Sequence, residues 1–455
     1  MSDRLKPLGL KPLALVLAGM LTAPAAMAVD IVGVYELAAK NDPQLQAASY
    51  RRDAIGENER QAWSNLLPAL SASASMTKGD SQASVAGMQV SDTDTDSESL
   101  RLDLSQTLYN QGNYERLDIA RGQVSQAEAL YQLAYLDFLV RVAGRYFDVL
   151  TAIDGVTFAE AEELALQRQF EQAEQRFEVG LTAVTDVHEA RASYDNARAR
   201  AIVSRNNLAD TKEGLRELTG QYFDELDPLQ EKLPLVTPNP QSADDWVQIA
   251  LANNPNVLSS RQSVEIADAS ARLERAGHYP TLEFTARISE FTNNEFVSVN
   301  PETQLPFPPR AFEVDDTQYN LQLNVPIYQG GVVTSRTRQA RHELNAAHQD
   351  LDVQQRATVR QTQNAFRAVI AGIQQVEAFG QALISAESAL EATQACFEVG
   401  TRTIVDVLIA EQRYFQAQRD NSLARHTYIV DHLRLKAAAG VLEENDLQLV
   451  NQILD

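Results

Sequence analysis

Two histidine–glutamate pairs are the residues of this chain whose types could begin hydrolytic chemistry. On a helix, His342-Glu343 would open a zinc-hydrolase motif if a second histidine stood four residues after the first. That position is Ala346, and His348 falls on another face. His188-Glu189 has no partner histidine at all. The chain has no Gly-x-Ser-x-Gly elbow and no phosphate-binding glycine-rich loop with its lysine. Its one cysteine, Cys396, excludes cysteine metal spacings and intrachain disulfides, and beside Phe397 it reads as a small packing residue. The expectation is a chain that is not an enzyme, holds no cofactor or metal, and cannot energise transport from a nucleotide.

A different constellation occurs twice. Phe177-Glu178-Val179-Gly180 leads to Thr185-Asp186-Val187, and Phe397-Glu398-Val399-Gly400 leads to Val405-Asp406-Val407, at an offset of 220 residues. The echo extends outward. Asn41-Asp42-Pro43 returns as Asn253-Asn254-Pro255, Pro68 as Pro280, Leu108-Tyr109 as Ile327-Tyr328, and Gly220 as Gly440. Most of the change in offset falls between Pro68 and Tyr109, where the Ser/Asp/Thr-rich stretch 91–99 reads as a loop able to absorb it. The period is far longer than the roughly 20–50 residues of a solenoid repeat. One module is written twice.

The elements that must carry these turns follow from two periodicities. Proline is absent from 69 to 227 and from 327 to the end, and both spans are rich in good helix formers. Ala120, Val124, Ala127, Tyr131, Ala134 and Phe138 alternate steps of four and three, as do Ala340, Leu344, Ala347 and Leu351. That spacing lays one apolar stripe along a helix, in coiled-coil fashion. Helices are predicted from about 113 to 178 and 332 to 398, each on the order of 100 Å long at ~1.5 Å per residue. Each turns at Val-Gly and returns to Gly220 or Ala439, making two antiparallel hairpins with a glycine at the tip.

Four other segments have period two. Leu70, Ala72, Ala74 and Met76 alternate with polar residues, as do Leu100, Leu102 and Leu104. Leu282, Phe284, Ala286 and Ile288 repeat the pattern, and so do Tyr319, Leu321, Leu323 and Val325. In one segment an apolar and a polar face would fit a half-solvated sheet of a soluble domain. Four such segments in two matched pairs, behind a signal peptide, point instead to transmembrane barrel strands. Four strands cannot close a barrel, and an open edge cannot sit in lipid, so copies must combine to finish the sheet.

The first residues give the address. Arg4, Lys6 and Lys11 precede a short apolar run and Ala26-Met27-Ala28, which reads as a secretory signal peptide over 1–28. The residue directly after the cleavage site is Val29 and not a cysteine, so no lipid anchor is expected. A net charge of −23, from 62 acidic against 39 basic residues, argues against nucleic acid as a partner.

The doubled layout, Leu-Pro at 67–68, Pro-Ile-Tyr-Gln-Gly-Gly at 326–331 and Val-Gly-Thr-Arg-Thr-Ile-Val-Asp-Val-Leu at 399–408 resemble the TolC family of outer-membrane ducts. The resemblance covers essentially the whole chain after the signal. It implies a homotrimer in which each copy gives four strands to one 12-stranded outer-membrane β-barrel, continued by a long α-helical barrel across the periplasm. It further implies a passive exit duct for multidrug efflux or type I protein secretion. The partners would be outer-membrane lipid, a periplasmic adaptor and an inner-membrane RND or ABC transporter. Carried over by position, Val179-Gly180-Leu181-Thr182 and Val399-Gly400-Thr401 match the adaptor-docking turns. Arg402 matches an arginine that ties the second hairpin to the first through Thr185 and Asp186. Asp406 matches the carboxylate of the narrowest ring.

Two departures stand out. Ile409 occupies the position of a second ring carboxylate, so a single acidic ring beside an apolar one is expected, with Glu189 as its counterpart in the first repeat. Phe397 replaces a usual tyrosine, which would leave more of the closed state to Arg402. The expected organisation is a first repeat over 29–228, a linker over 229–242, a second repeat over 243–440 and a C-terminal equatorial tail over 441–455. A periplasmic adaptor would lack the paired barrel strands and carry lipoyl-like β modules. A coiled-coil spacer would lack the strands too.

Overall fold

In the computed structural model, which describes residues 29–85, 88–296 and 310–454, the two repeats are laid out in the same order. The first contains α1 (Ile31–Asn41), α2 (Pro43–Ser64), β1 (Ala69–Val85), β2 (Met88–Asn110), α3 (Gln111–Glu178) and α4 (Val184–Thr219). The second contains α5 (Ala243–Asn253), α6 (Pro255–Ala276), β3 (Thr281–Phe296), β4 (Arg310–Asn324), α7 (Val332–Glu398) and α8 (Ile404–Ala439), and α9 (Glu444–Asn451) follows. The signal peptide expected over 1–28 lies outside the described residues.

Matching residues make matching joints. Asp42 accepts hydrogen bonds from the Gln44 and Leu45 N–H groups, and Asn254 accepts one from Asn256. Each thereby caps a helix that begins with proline, whose missing N–H costs nothing there. The ends of α4 and α8 are closed by Gly220 and Gly440, both left-handed at φ 77° and 74°.

The strands form one antiparallel sheet in the order β1-β2-β3-β4. Its register sorts the side chains by face. Leu70 lies opposite Leu104, Leu104 opposite Ala286 and Ala286 opposite Tyr319, all on the apolar side. On the other side Ser71, Asp103, Arg287 and Gln318 form a polar row, with Arg287 Nε 2.5 Å from Asp103. Among the described residues, β1 and β4 each keep one unpaired edge.

The loop expected at 91–99 is not a loop. These residues are part of β2, paired throughout with β1 and in part with β3. Aspartate and serine are poor strand formers, but two flanking ladders supply the hydrogen bonds that propensity alone would not. Their composition marks strand that runs past the apolar band rather than irregular backbone.

The helices refine the hairpins. At 36 residues, α4 and α8 return along only the tip half of the 68-residue α3 and 67-residue α7. The other half is covered by the joint helices, with α2 on α3 and α6 between α3 and α7. The α3–α6 approach is close at Gly122, where a Cβ would come within 2.7 Å of Ile266. The main core sits where the two halves meet. Tyr146, Phe138, Leu139, Val142, Leu433 and Leu447 pack there with α1 and α9.

The stretch 229–242 is bound to this core rather than free. The Tyr428 hydroxyl meets both the N–H and carbonyl of Val236, and Gln230 N–H donates to Ile453 O. Both helix stripes are covered only in part. Ala120, Ala127 and Phe138 of α3 and Ala340 of α7 are buried, whereas Val124, Tyr131 and Ala134 on α3 and Leu344, Ala347 and Leu351 on α7 remain half-exposed. No helix among the described residues is long and apolar enough to cross a membrane.

Candidate functional site

Both helix tips are built by the same backbone rule. Gly180 and Gly400 sit in the left-handed region at φ 74° and 79°. At the first tip, Gly180 N–H donates to Phe177 O and Leu181 N–H to Arg176 O, at 2.9 and 2.8 Å. At the second, Gly400 N–H donates to Phe397 O and Thr401 N–H to Cys396 O, at 3.0 and 2.9 Å. These paired bonds are the glycine-terminated helix end known as the Schellman motif. A Cβ on either glycine would touch nothing in the chain. Val179, Leu181 and Val399 are 69–76% exposed around them. Apolar side chains and bare backbone thus face outward together at each tip.

The side chains diverge. Thr403 caps α8 through a reciprocal box, accepting from Asp406 N–H while Asp406 Oδ2 accepts from the Thr403 N–H and hydroxyl at 2.9 and 2.8 Å. Those bonds to Thr403 hold the Asp406 carboxyl below the usual carboxylate range, with a smaller contribution from Arg402. Arg402 Nη1 lies 3.7 Å from Asp406 Oδ1. In the first repeat the equivalent cap position is Ala183, which has no side chain to give. Asp186 accepts instead from the Thr182 hydroxyl, and Thr185 is exposed in the first turn of α4.

Among the described residues of one chain, no hydrogen bond or ion pair joins Arg402 to Thr185 or Asp186. The tie implied by the resemblance is therefore not an intrachain contact in this structure, where Arg402, in the turn before α8, lies instead near Asp406 of that helix. Another residue links the hairpins. The Arg176 guanidinium lies 4.5 Å from the centroid of the Phe397 ring, joining α3 to α7 where a phenol would have offered a hydroxyl. Ile409 and Glu189, equivalent positions of the two repeats, line one groove of about 330 Å³ between α4 and α8.

Above the tips, Leu166, Ala173, Ala190, Ala197, Ile404 and Leu408 make a small core between the hairpins. Polar residues cross it in rungs. Glu411 on α8 accepts from Gln169 on α3 at 3.1 Å and from Gln394 on α7 at 3.4 Å. Glu162, fully buried on α3, is bonded by Arg200 of α4 at 2.7 Å and Arg419 of α8 at 3.0 Å. Ser422 bonds Asp154, and the Thr151 hydroxyl meets His426 Nδ1 at 2.8 Å. Burial pushes the His426 imidazole down to about 4.

The residue reading missed Gln169, Glu411, Glu162 and Arg419, although a signal was present. Ile404, Leu408, Glu411, Phe415, Gln418 and Ser422 continue the four-three spacing, so α8 places polar residues on its own packing stripe.

A sequence profile of the family described as outer membrane efflux protein matches residues 34–221 and again 246–441, once for each repeat. The chain is similar to the outer membrane protein TolC of Vibrio cholerae, 36% identical over 427 residues, 94% of each chain. It is also similar to the alkaline protease secretion protein AprF of Pseudomonas aeruginosa, 29% identical, covering 93% of this chain and 87% of that one. Among solved structures, the outer membrane protein VceC of Vibrio cholerae superposes with a TM-score of 0.70 at 20% identity, over 90% of this chain and 96% of that one.

Proposed function

The chain belongs to the outer membrane efflux protein family, and from that premise we propose how its residues make and gate the duct. The protein is an outer-membrane exit duct for efflux and type I secretion, extending into the periplasm. The observation that carries the reading is the open four-stranded sheet, apolar on one face and polar on the other, continuous with helices about 100 Å long. In lipid the unpaired edges of β1 and β4 would each leave a row of backbone groups without partners. Pairing β4 of one copy with β1 of the next removes both edges, and three copies give 12 strands. The same assembly would cover the half-exposed stripe on α7.

At the periplasmic end, the outward apolar turns Val179-Gly180-Leu181-Thr182 and Val399-Gly400-Thr401 suit tip-to-tip docking of an adaptor's helices. An inner-membrane transporter would complete the route. Arg402 closes the entrance by reaching Thr185 and Asp186 of a neighbouring protomer, exchanging its loose contact with Asp406 for that one. Three Asp406 carboxylates around the axis form an acidic ring, and Ile409 forms the apolar ring beside it. Glu189, in the same groove, supplies the carboxylate that Ile409 lacks.

Assembly is tested by cross-linking. In a Cys396→Ser background, cysteines replacing Ser71 or Ser73 on β1 and Asn320 or Gln322 on β4 should give a disulfide ladder ending at three chains. A ladder that stops at one chain, or runs beyond three, would overturn the proposed closure. A deletion strain should become drug-sensitive or lose secreted protein, and neither change would contradict the duct.

A further inference from the structure

Glu411 presents an incomplete hydrogen-bond pattern. Both glutamine donors, from α3 and α7, point at its Oε1. Its Oε2 is buried with no hydrogen-bond partner, and so is Oε1 of Gln169, the side chain already bonded to it. Two orphaned acceptors on one bonded pair cannot satisfy each other unless one of them carries a hydrogen. An amide oxygen does not bind a proton near neutrality, but a carboxylate can.

We propose that Glu411 is a proton-binding site: a proton on Oε2 is donated to Gln169 Oε1 and closes a two-point acid–amide pair that clamps the first hairpin to the second. With the proton bound, Nε2–H of Gln169 donates to Oε1 and O–H of Glu411 donates to Gln169, so each orphan gains a partner. Without it, a charged oxygen stays buried with no partner, which is costly.

The surroundings favour the proton. Burial raises the affinity of Glu411 for it, the two glutamine donors oppose that rise, and the Glu162 carboxylate adds to it. The other charged groups of the seam are engaged elsewhere. Arg200 from α4, through Nη2 with its buried Nε unpartnered, and Arg419 from α8 both bond Glu162, and Asp154 from α3 is bonded by Ser422. On α7, Glu391 and Glu398 flank Gln394 and are exposed, as is Arg413 on α8. Because the native carboxyl holds its proton more tightly than an unfolded one, the clamp is complete in acid. It weakens as pH rises through the elevated native value.

That the clamp opposes opening of the duct rests on the reading of the tips as a moving entrance, but the proton-binding itself does not. It is measured on the purified full-length protein without transport. Amide exchange over 166–173 and 404–415, corrected for intrinsic chemistry, should slow about fivefold from pH 7.5 to pH 5.5, the effect of about one hydrogen bond gained. Glu411→Gln supplies a permanent donor to Gln169 and should show the slow rate at every pH. Gln169→Leu should abolish the dependence while leaving Glu411 in place, and Asp406→Asn should leave it intact. A carboxylic-acid carbonyl band in the infrared spectrum should vanish in Glu411→Gln. A flat wild-type profile, a profile retained in Glu411→Gln or the absence of that band would overturn the assignment. A duct that fails to transport with these results unchanged would instead count against the docking and gating roles.

Discussion

The two helix tips share one backbone and differ in the side chains that could hold them. Both end in a left-handed glycine with the same pair of hydrogen bonds, and both present apolar residues outward. Only the second has a threonine cap, an arginine and a carboxylate joined in one cluster. The first has alanine at its cap and bonds Asp186 to a hydroxyl of the turn itself. Duplication preserved what shapes a turn, because any other residue at positive φ is strained. It released what decorates one. The shared part fits the docking proposed for both tips, and the divergent part fits the gating proposed for one.

The largest test of that division strikes the shared part. Gly180→Val or Gly400→Val puts a branched side chain at positive φ, a strain of about 1–3 kcal/mol. Each should lower drug resistance to the level of a deletion strain while the trimer still assembles. If one substitution is silent, the tips do not dock alike. Next, Arg402→Ala should raise single-channel conductance severalfold, whereas Arg176→Ala at the first tip, which loses only a ring contact, should raise it less. Equal effects would dissolve the distinction between them.

A smaller effect is expected at the constriction. Ile409→Asp should strengthen block by trivalent cations, since a second ring of three carboxylates would attract them. No change would mean that Glu189 already fills that role or that position 409 faces away from the lumen. The smallest effect concerns the cap. Thr403→Ala should cost about 1 kcal/mol locally and speed amide exchange at 404–407 about fivefold. Thr182→Ala at the first tip should have a lesser effect, since Thr182 does not cap the helix. The reverse order would place the better-held tip in the first repeat.

Much of this architecture was legible in the residues. Proline-free spans with four-three spacing located α3 and α7 to within two residues, because long helices declare themselves over many turns. Alternation located the strands, and their faces followed from it. The segment 91–99 misled because its run of serine, aspartate and threonine has the composition of a loop, and a polar strand and a loop look alike in sequence. Glu411 escaped for the opposite reason. A charged residue on a stripe reads as an interruption until its neighbours on two other helices are known.

By itself the sequence determined the duplication, the two periodicities, the glycine turns and the need for other copies to close the sheet. Each of these is a local rule or a count, and neither needs coordinates. Tertiary structure alone decided which chemistry meets at the seam. It brought Gln169, Gln394 and Glu411 together across up to 242 positions and set Ile409 in one groove with Glu189. Those pairings depend on how far each helix slides along its neighbour, and that is set by the summed packing of whole faces. No single spacing in the chain records it.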